Sequence, residues 1–305
     1  MSDRPPQPTY ALGGLTVRSD FPLPELPPCD TPNAADVRII RANVPKSLPG
    51  GMQVMAEARV TPQAVLLDIP SVGRILAVGG REIRVDAAPD CRAEDLRLFI
   101  LGSAFGAIYL QRGLFPLHAS VVVVHGKAIA FAGDPGAGKS TMAAWLNRQG
   151  YPVLSDDVCV IRVDADHEPL AFPAFPRIKL WKDTLSALGL NRKGLQKDYS
   201  RADKYHLPPI GDFAQEAVPL RQINFLAFSK DESSPELEPV QPAHAVSLLR
   251  DNTYRFQFVS PMGLTKRHFV ACTRIVESVA MYTLSRPKRF SALAECQQLI
   301  EDCLT

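Results

Sequence analysis

Residues 133–140 read Gly133-Asp134-Pro135-Gly136-Ala137-Gly138-Lys139-Ser140 and match the pattern G-x-x-x-x-G-K-[ST]. The segment follows an apolar, strand-like run at Ala128–Ala132 and precedes a helix-forming run at Thr141–Arg148. A strand, a glycine-rich turn and a helix in this order are the context in which such a turn binds phosphate. The alternative is a chance glycine-rich turn between two unrelated elements.

The residues of this loop have separate predicted tasks. Glycine at three positions lets the backbone curl so that its N–H groups face a phosphate, and the helix that follows adds its positive end. Lys139 is expected to reach the β- and γ-phosphates, and Ser140 to ligate magnesium. We therefore predict a nucleoside-triphosphate site formed by nine consecutive residues, Gly133, Asp134, Pro135, Gly136, Ala137, Gly138, Lys139, Ser140 and Thr141.

Ionisable residues stand in the strand-like runs on both sides of the loop. The next run ends in Leu154-Ser155-Asp156-Asp157, and adjacent carboxylates at such a place are costly unless they meet a cation or a proton partner. A solvated Asp-Asp turn is the alternative there. His118 lies in the apolar run Leu117–Val124, where a lone histidine is most often a core residue with satisfied hydrogen bonds. The residues alone leave both alternatives open.

Leu117-His118, the glycine-rich loop and Ser155-Asp156-Asp157 follow one another in an order that resembles the catalytic domain of bacterial HPr kinase/phosphorylase. That family is a P-loop serine kinase related in fold to phosphoenolpyruvate carboxykinase. The resemblance covers residues 93–305 and is strongest from Phe115 to Val163. The whole layout also resembles HPr-kinase-like proteins encoded with lasso-peptide and other peptide-modification genes, whose opening is similar to Tyr10-x-Leu-x-Gly-Leu-Thr-Val17 followed by Leu23-Pro-Glu-Leu26.

The resemblance implies ATP and Mg²⁺ as cofactors and assigns roles to individual residues. Asp156 would face the attacking hydroxyl as the base, and Asp157 with Ser140 would hold magnesium. His118 would sit beside the acidic pair, and Lys139 completes the predicted catalytic set. Physical chemistry supports these roles, because a loose phosphoryl-transfer transition state mainly requires orientation of the hydroxyl and late removal of its proton.

The chain departs from HPr kinase/phosphorylase at two places. Thr141 stands where that family has an acidic residue, and Val218–Asn224 is the segment nearest to its Pro-Gly-Arg-Asn-type signature. Phosphorylase activity and HPr as the substrate are therefore not predicted for this chain. The resemblance to the hexameric HPr kinase does predict self-association into a homo-oligomer.

A second candidate region is the basic segment Arg177–His206, which carries eight Lys and Arg residues against three Asp residues. Such a run is most often a solvated face. The functional interpretation is that one or two of its cations meet the triphosphate or an acidic substrate when the site closes. Lys179 and Lys204 are the residues predicted for this task.

Composition excludes several classes of protein. The 305 residues include 34 Lys and Arg against 32 Asp and Glu, a formal charge of +2, so the chain lacks the basic excess of nucleic-acid or membrane-surface proteins. No apolar run is long enough to predict a membrane span. The cysteines are scattered and favour free thiols in a reducing, cytoplasmic compartment: Cys29, Cys91, Cys159, Cys272, Cys296 and Cys303.

The order of apolar runs predicts an α/β nucleotide-binding core behind a small, mostly β N-terminal domain. The resemblance implies that this is a P-loop core like that of phosphoenolpyruvate carboxykinase and HPr kinase. Short β-branched runs recur from Asp36 to Asp86, after a predicted strand at Tyr10–Val17, and helical spacing begins at Ala93. The predicted domains are residues 1–92, which could position a substrate, and residues 93–305, the catalytic domain.

These observations predict an ATP- and Mg²⁺-dependent kinase that phosphorylates a serine hydroxyl of a peptide or small protein, such as a ribosomally made precursor peptide. Two alternatives remain open, because a fold does not fix a function. One is a kinase for a small metabolite. The other is a nucleotide-dependent switch or assembly protein whose hydrolysis acts only as a timer.

Overall fold

The computed structural model describes residues 8–29, 34–198, 203–229 and 234–304. The chain divides into two compact units, of which the first comprises Met1–Pro116 with Tyr254–Val270 and the second comprises Leu117–Thr253 with Ala271–Thr305. Residues 93–116 group with the first unit in this division, whereas the sequence prediction placed them with the catalytic domain. The predicted boundary after residue 92 stays a prediction.

The first unit is built on one twisted sheet of short strands. In chain order these are β1 (Thr9–Leu12), β2 (Leu15–Ser19), β3 (Val37–Arg41), β4 (Met52–Met55), β5 (Ala58–Val60), β6 (Ala64–Ile69), β7 (Gly73–Val78) and β8 (Glu82–Ala87). They pair in the order β1-β2-β3-β8-β7-β6-β5-β4. The segment Tyr10–Val17 was wrongly predicted as a single strand. It forms the β1–β2 hairpin instead, because Gly13 and Gly14 take positive φ angles of 57° and 78°.

The helical spacing predicted from Ala93 is confirmed. It forms α1 (Ala93–Phe99), a π-helical turn (Ile100–Ala104) and α2 (Phe105–Arg112), and a 3₁₀ turn (Phe256–Phe258) also belongs to this unit. Helix α2 ends at Gly113, whose φ of 74° allows the left-handed conformation that closes a helix.

The rest of the chain contains the remaining strands and helices. These are β9 (Phe115–Leu117), β10 (Ser120–Val124), β11 (Lys127–Ala132), α3 (Lys139–Arg148), β12 (Val153–Ser155), β13 (Cys159–Arg162), β14 (Leu170–Phe172), β15 (Ile178–Trp181), α4 (Lys182–Ala187), β16 (Gln196–Lys197), β17 (Lys204–Leu207), β18 (Val218–Phe228), β19 (Glu236–Pro239), α5 (Pro242–Asp251), α6 (Thr265–Ser278), β20 (Ala280–Arg286) and α7 (Ala292–Asp302). In the described residues, β9–β14 and β18–β20 form one mixed sheet, while β15–β17 form a small antiparallel sheet. The expected α/β class is thus confirmed.

Strand direction brings the three motifs of the sequence to one edge of the mixed sheet. Strands β10 and β11 are antiparallel, with Ser120 opposite Phe131, and β10 and β12 are antiparallel, with Val121 opposite Ser155. The start of β10 therefore lies beside the ends of β11 and β12. Strand β18 runs parallel to both β11 and β20. The C-terminal ends of β18 and β20 therefore reach the same edge as the end of β11.

The core beneath this edge is apolar on both sides of helix α3. Met142, Ala143 and Leu146 of α3 are buried against Ile129 and Phe131 of β11. The small sheet contributes its own apolar face to the same core, with Ile178, Leu180, Tyr205 and Leu207. None of the helices in the described part of the chain has the length and apolar character needed to span a bilayer.

Candidate active site

The loop between β11 and α3 has the backbone of a phosphate cradle. Gly133, Gly136 and Gly138 have φ angles of 127°, 92° and 99°, values that residues with side chains rarely adopt. A Cβ on Gly133 would also lie 2.9 Å from the carbonyl oxygen of Leu226, so this glycine is required for space as well. Helix α3 begins at Lys139, and its first-turn N–H groups lack intrahelical acceptors and can bind an anion.

The Lys139 ammonium folds back over the loop. Its Nζ donates to the carbonyl oxygens of Gly133 and Asp134, at 2.7 and 3.1 Å, which leaves a third proton for a phosphate oxygen. Burial lowers the pKa of Lys139, and the nearby cation Lys204 lowers it further, against the opposing effect of the acidic pair. The loop thus holds a buried cation at the place where phosphate charge is expected.

The other predicted loop residues differ in exposure. Asp134, Pro135 and Gly136 are exposed, whereas the Ala137 side chain packs into the core and its N–H donates to Asp134 O at 3.1 Å. Ser140 is half-buried in the first turn of α3. The Thr141 hydroxyl shares a 3.1 Å hydrogen bond with Thr184 of α4, so it ties the loop helix to its neighbour. Their roles in nucleotide binding stay predictions.

Asp156 joins three strands. This residue directly follows β12 and is buried, with Oδ1 accepting a 2.5 Å hydrogen bond from the Ser120 hydroxyl of β10. Its Oδ2 accepts a 2.8 Å hydrogen bond from the backbone N–H of Lys179 in β15. The carboxylate therefore fixes the end of the mixed sheet to the small sheet.

The Asp157 carboxylate is more accessible than that of Asp156 and lies against the Lys179 ammonium. Its side chain is 33% exposed, and its Oδ2 lies 2.6 Å from Lys179 Nζ. Burial opposes its ionisation, but Lys179, His118 and Lys204 outweigh that effect and hold the pKa of Asp157 well below its ordinary value. The residue also has a φ of 77°, a strained conformation for a side-chain-bearing residue and one that is typical of functional sites.

The imidazole ring of His118 contacts the backbone carbonyl of Asp157. The His118 Nδ1–H donates to the Asp157 carbonyl oxygen at 2.6 Å, because a carbonyl can only accept, and this contact fixes the tautomer with a lone pair on Nε2. Nδ1 also lies 3.9 Å from Asp157 Oδ1. Burial lowers the pKa of His118, against the opposing effect of the Asp157 carboxylate, so the neutral imidazole is favoured at pH 7.

The small sheet presents a polar face to the acidic pair. Lys179 is directly opposite His206, and Trp181 is directly opposite Lys204, so these four side chains project from one face. Lys179 Nζ also lies 3.7 Å from Asp198 Oδ2, which is 3.2 Å from His206 Nε2. Both predicted cations, Lys179 and Lys204, thus lie in the buried site region. Residues 199–202 of the basic segment lie outside the described residues.

Two residues that the sequence did not identify contact the loop directly. Asn252, just after α5, accepts a 2.8 Å hydrogen bond from Gly133 N–H through Oδ1, and its backbone oxygen accepts one from His118 N–H. Arg286, at the end of β20, is buried beside Gly138. Neither has a local sequence signal, because both reach the loop only through strand and helix placement.

Magnesium fits the donors at this site. The ionised Asp157 carboxylate and the Ser140 hydroxyl are oxygen donors of the kind that Mg²⁺ accepts, and Mg²⁺ usually keeps phosphate and water ligands besides. Within the described residues, no three His, Cys, Asp or Glu side chains group together as a metal site. A magnesium ion bound here would therefore take its other ligands from a nucleotide and from water.

Comparisons with known proteins show a weak similarity to a solved structure and no match to a sequence family. No family model matches the chain, and no curated protein matches it. The solved structure of the HPr(Ser) kinase/phosphatase from Coxiella burnetii is similar over 62% of this chain and 90% of its own, with 12% sequence identity and a TM-score of 0.32.

The Asn252 side chain is expected to stabilise the loop. Asn252→Ala removes the acceptor of the Gly133 N–H and the donor to Leu248 O, and should lower the free energy of unfolding by about 1–3 kcal/mol in urea denaturation. The variant should also bind ATP more weakly in calorimetry, with Asp251→Asn at the exposed neighbouring residue as the matched control. Equal ATP affinity for wild type and Asn252→Ala would contradict a positioning role.

The ionised state of Asp157 should make stability depend on pH. Its folded pKa lies below the unfolded value of about 4, so its charge stabilises the fold above that pH, and the contribution is lost as the pH falls further. Asp157→Asn should therefore destabilise the protein at pH 7, and the difference from wild type should shrink between about pH 5 and pH 2. Chemical denaturation across this range measures it, with the exposed Asp212→Asn as control. A constant difference would exclude the ion pair as its source.

Proposed function

We propose that this protein is an ATP- and Mg²⁺-dependent kinase that phosphorylates a serine hydroxyl of a peptide or small protein. One observation carries the proposal: the glycine loop, the acidic pair and His118 lie at one edge of one sheet. The ordered resemblance of these motifs to HPr kinase/phosphorylase supports the same reaction type. An α/β nucleotide fold alone would not distinguish a kinase from a switch.

The loop end of the site would bind the triphosphate. Backbone N–H groups of the loop and the first turn of α3 would surround phosphate oxygens, and Lys139 would donate its third proton to them. Asp157 and Ser140 would hold magnesium, which neutralises charge on the β- and γ-phosphates when bound. Lys179 keeps the Asp157 carboxylate ionised for this purpose.

Two residues could receive the proton of the attacking hydroxyl. Asp156 is the acceptor that the resemblance implies, and both its oxygens already accept hydrogen bonds, from the Ser120 hydroxyl and the Lys179 N–H. The contacts favour His118, because its side chain is 31% exposed and its tautomer leaves Nε2 unprotonated. We therefore propose His118 as the group that orients the hydroxyl and accepts its proton, with Asp156 as a positioning residue.

A peptide is the proposed acceptor. Trp181 exposes 39% of its surface on the polar face of the small sheet, with Lys204 Nζ 5.9 Å from its ring centroid. An exposed aromatic ring with a cation beside it offers an apolar surface and a positive charge to a peptide chain. We propose a ribosomally made precursor peptide as the acceptor and recognition of this peptide as the task of the mostly β N-terminal part.

The first experiment is intact-mass spectrometry of serine-bearing peptides, beginning with any short precursor peptide encoded beside the gene of this protein. With the protein, ATP and Mg²⁺, the peptide should gain about 80 Da, the mass of one phosphate. Lys139→Ala should lower the rate at least about 100-fold, because a charge that stabilises the transition state is lost. Removal of Mg²⁺ by a chelator should have a similar effect.

Lys127 starts β11 and has a side chain that is 45% exposed. Lys127→Ala is therefore the matched control and should transfer phosphate at the wild-type rate. A peptide with serine replaced by alanine should gain no mass. ATP hydrolysis without any phosphorylated product would instead favour the switch, and phosphorylation of only small hydroxyl compounds would favour a metabolite kinase. Either result would overturn the peptide-kinase proposal.

The proton acceptor can be tested with nearly isosteric variants. His118→Asn keeps a donor near the Asp157 carbonyl but removes the Nε2 lone pair, and kcat should fall about 100-fold or more while ATP affinity stays within about twofold. Asp156→Asn can keep both hydrogen bonds, since its amide oxygen accepts from Lys179 N–H and the Ser120 hydroxyl can accept from its amide nitrogen. Full activity of His118→Asn with loss in Asp156→Asn would return the role to Asp156.

A further inference from the structure

Arg286 is a buried cation without an anionic partner among the described residues. It ends β20 and is only 4% exposed. Nη1 donates to the carbonyl oxygen of Pro287 at 3.3 Å, and the buried Nε–H has no acceptor in the part of the chain that the structure describes. Buried charged groups are normally paired, so an arginine with these contacts is suited to bind an anion.

The Arg286 guanidinium lies against the phosphate loop. A Cβ added to Gly138 would clash with Nη2, so the glycine leaves room for the arginine as well as adopting a φ of 99°. The guanidinium also lies 4.9 Å from the centroid of the Phe228 ring, and Phe228 ends the neighbouring strand β18. The cation thus lies close to both the loop and an aromatic ring, at the edge where the parallel strands end.

The other loop cation already has electronegative partners. Lys139 contacts two loop carbonyls, and on the far side of the site Lys179 pairs with Asp157. Burial lowers the pKa of Arg286, as expected for a cation whose charge is not compensated. A guanidinium presents a planar set of donors that matches two oxygens of one phosphate group, which an ammonium cannot do.

We propose that Arg286 binds the polyphosphate chain of the nucleotide, as a second cation of the loop beside Lys139. The proposal rests on the phosphate-binding half of the proposed function and not on the acceptor. In the liganded protein, a phosphate oxygen accepts a hydrogen bond from the guanidinium, and its negative charge compensates the buried positive charge. Gly138 is then required at its position for two reasons, its backbone conformation and the space that the guanidinium occupies.

A purely structural role makes a different prediction. If Arg286 only supported Pro287 and the Phe228 ring, removal of its charge would destabilise the protein and leave anion binding unchanged. If the role of Arg286 is to bind phosphate, a substitution by a neutral side chain of similar length removes the cost of burying its charge in the unliganded protein. Unliganded Arg286→Met should then be at least as stable as wild type.

The test uses inorganic pyrophosphate and ATP as probes, measured by calorimetry on the full chain. Arg286→Met should weaken pyrophosphate binding about 10- to 100-fold, and Arg286→Lys should recover only part of this loss because it lacks the planar donor set. Lys288→Met is the matched control, because Lys288 is exposed and its Nζ lies 5.2 Å from the same Phe228 ring. It should bind pyrophosphate with nearly wild-type affinity.

Thermal denaturation of the same variants gives the second readout. The unliganded Arg286→Met protein should melt at or above the wild-type temperature, and pyrophosphate should raise its melting temperature less than it does for wild type. Unchanged pyrophosphate affinity in Arg286→Met would overturn the proposal, as would an equal loss in Lys288→Met. Pyrophosphate binding requires no acceptor, so failure of peptide phosphorylation alone would affect only the proposed kinase function.

Discussion

The hydrogen bonds of the Asp156 carboxylate determine where the other charged groups of the site lie. One oxygen holds Ser120 of β10 and the other holds the Lys179 N–H of β15, so the mixed sheet and the small sheet meet at one buried carboxylate. With its backbone fixed there, Lys179 reaches Asp157 and keeps that carboxylate ionised. A buried group with both oxygens satisfied restricts geometry more strongly than an exposed ion pair does.

The small sheet has one face that packs in the apolar core and one face that lines the site, because the side chains of its strands alternate between the two faces. Side chains of β15 and β17 point alternately to opposite faces. Leu180 and Tyr205 enter the apolar core under helix α3, while Lys179 and Lys204 enter the site. The apolar core therefore holds the small sheet in place together with the hydrogen bond from Lys179 N–H to Asp156. Burial of the apolar face offsets the free-energy cost of burying the two lysines.

Much of the fold and the site could be predicted from local patterns. The glycine loop with its flanking strand and helix, the helical spacing from Ala93 and the α/β class all depend on neighbouring residues, and the structure contains them. The Tyr10–Val17 prediction was wrong because it took no account of the turn signal of Gly13 and Gly14. Asn252 and Arg286 could not be found this way, since each meets the loop across the sheet from a distant part of the chain.

The sequence by itself determined the backbone of the phosphate loop, because positive φ angles at its glycines and the helix behind it are local properties. It also determined which ionisable residues were available, among them His118 and the acidic pair. Only the tertiary structure decided their partners. The tautomer of His118, the hydrogen bonds of Asp156 and the place of Arg286 beside the loop depend on which strands lie side by side. That strand order is set by burial of the whole core.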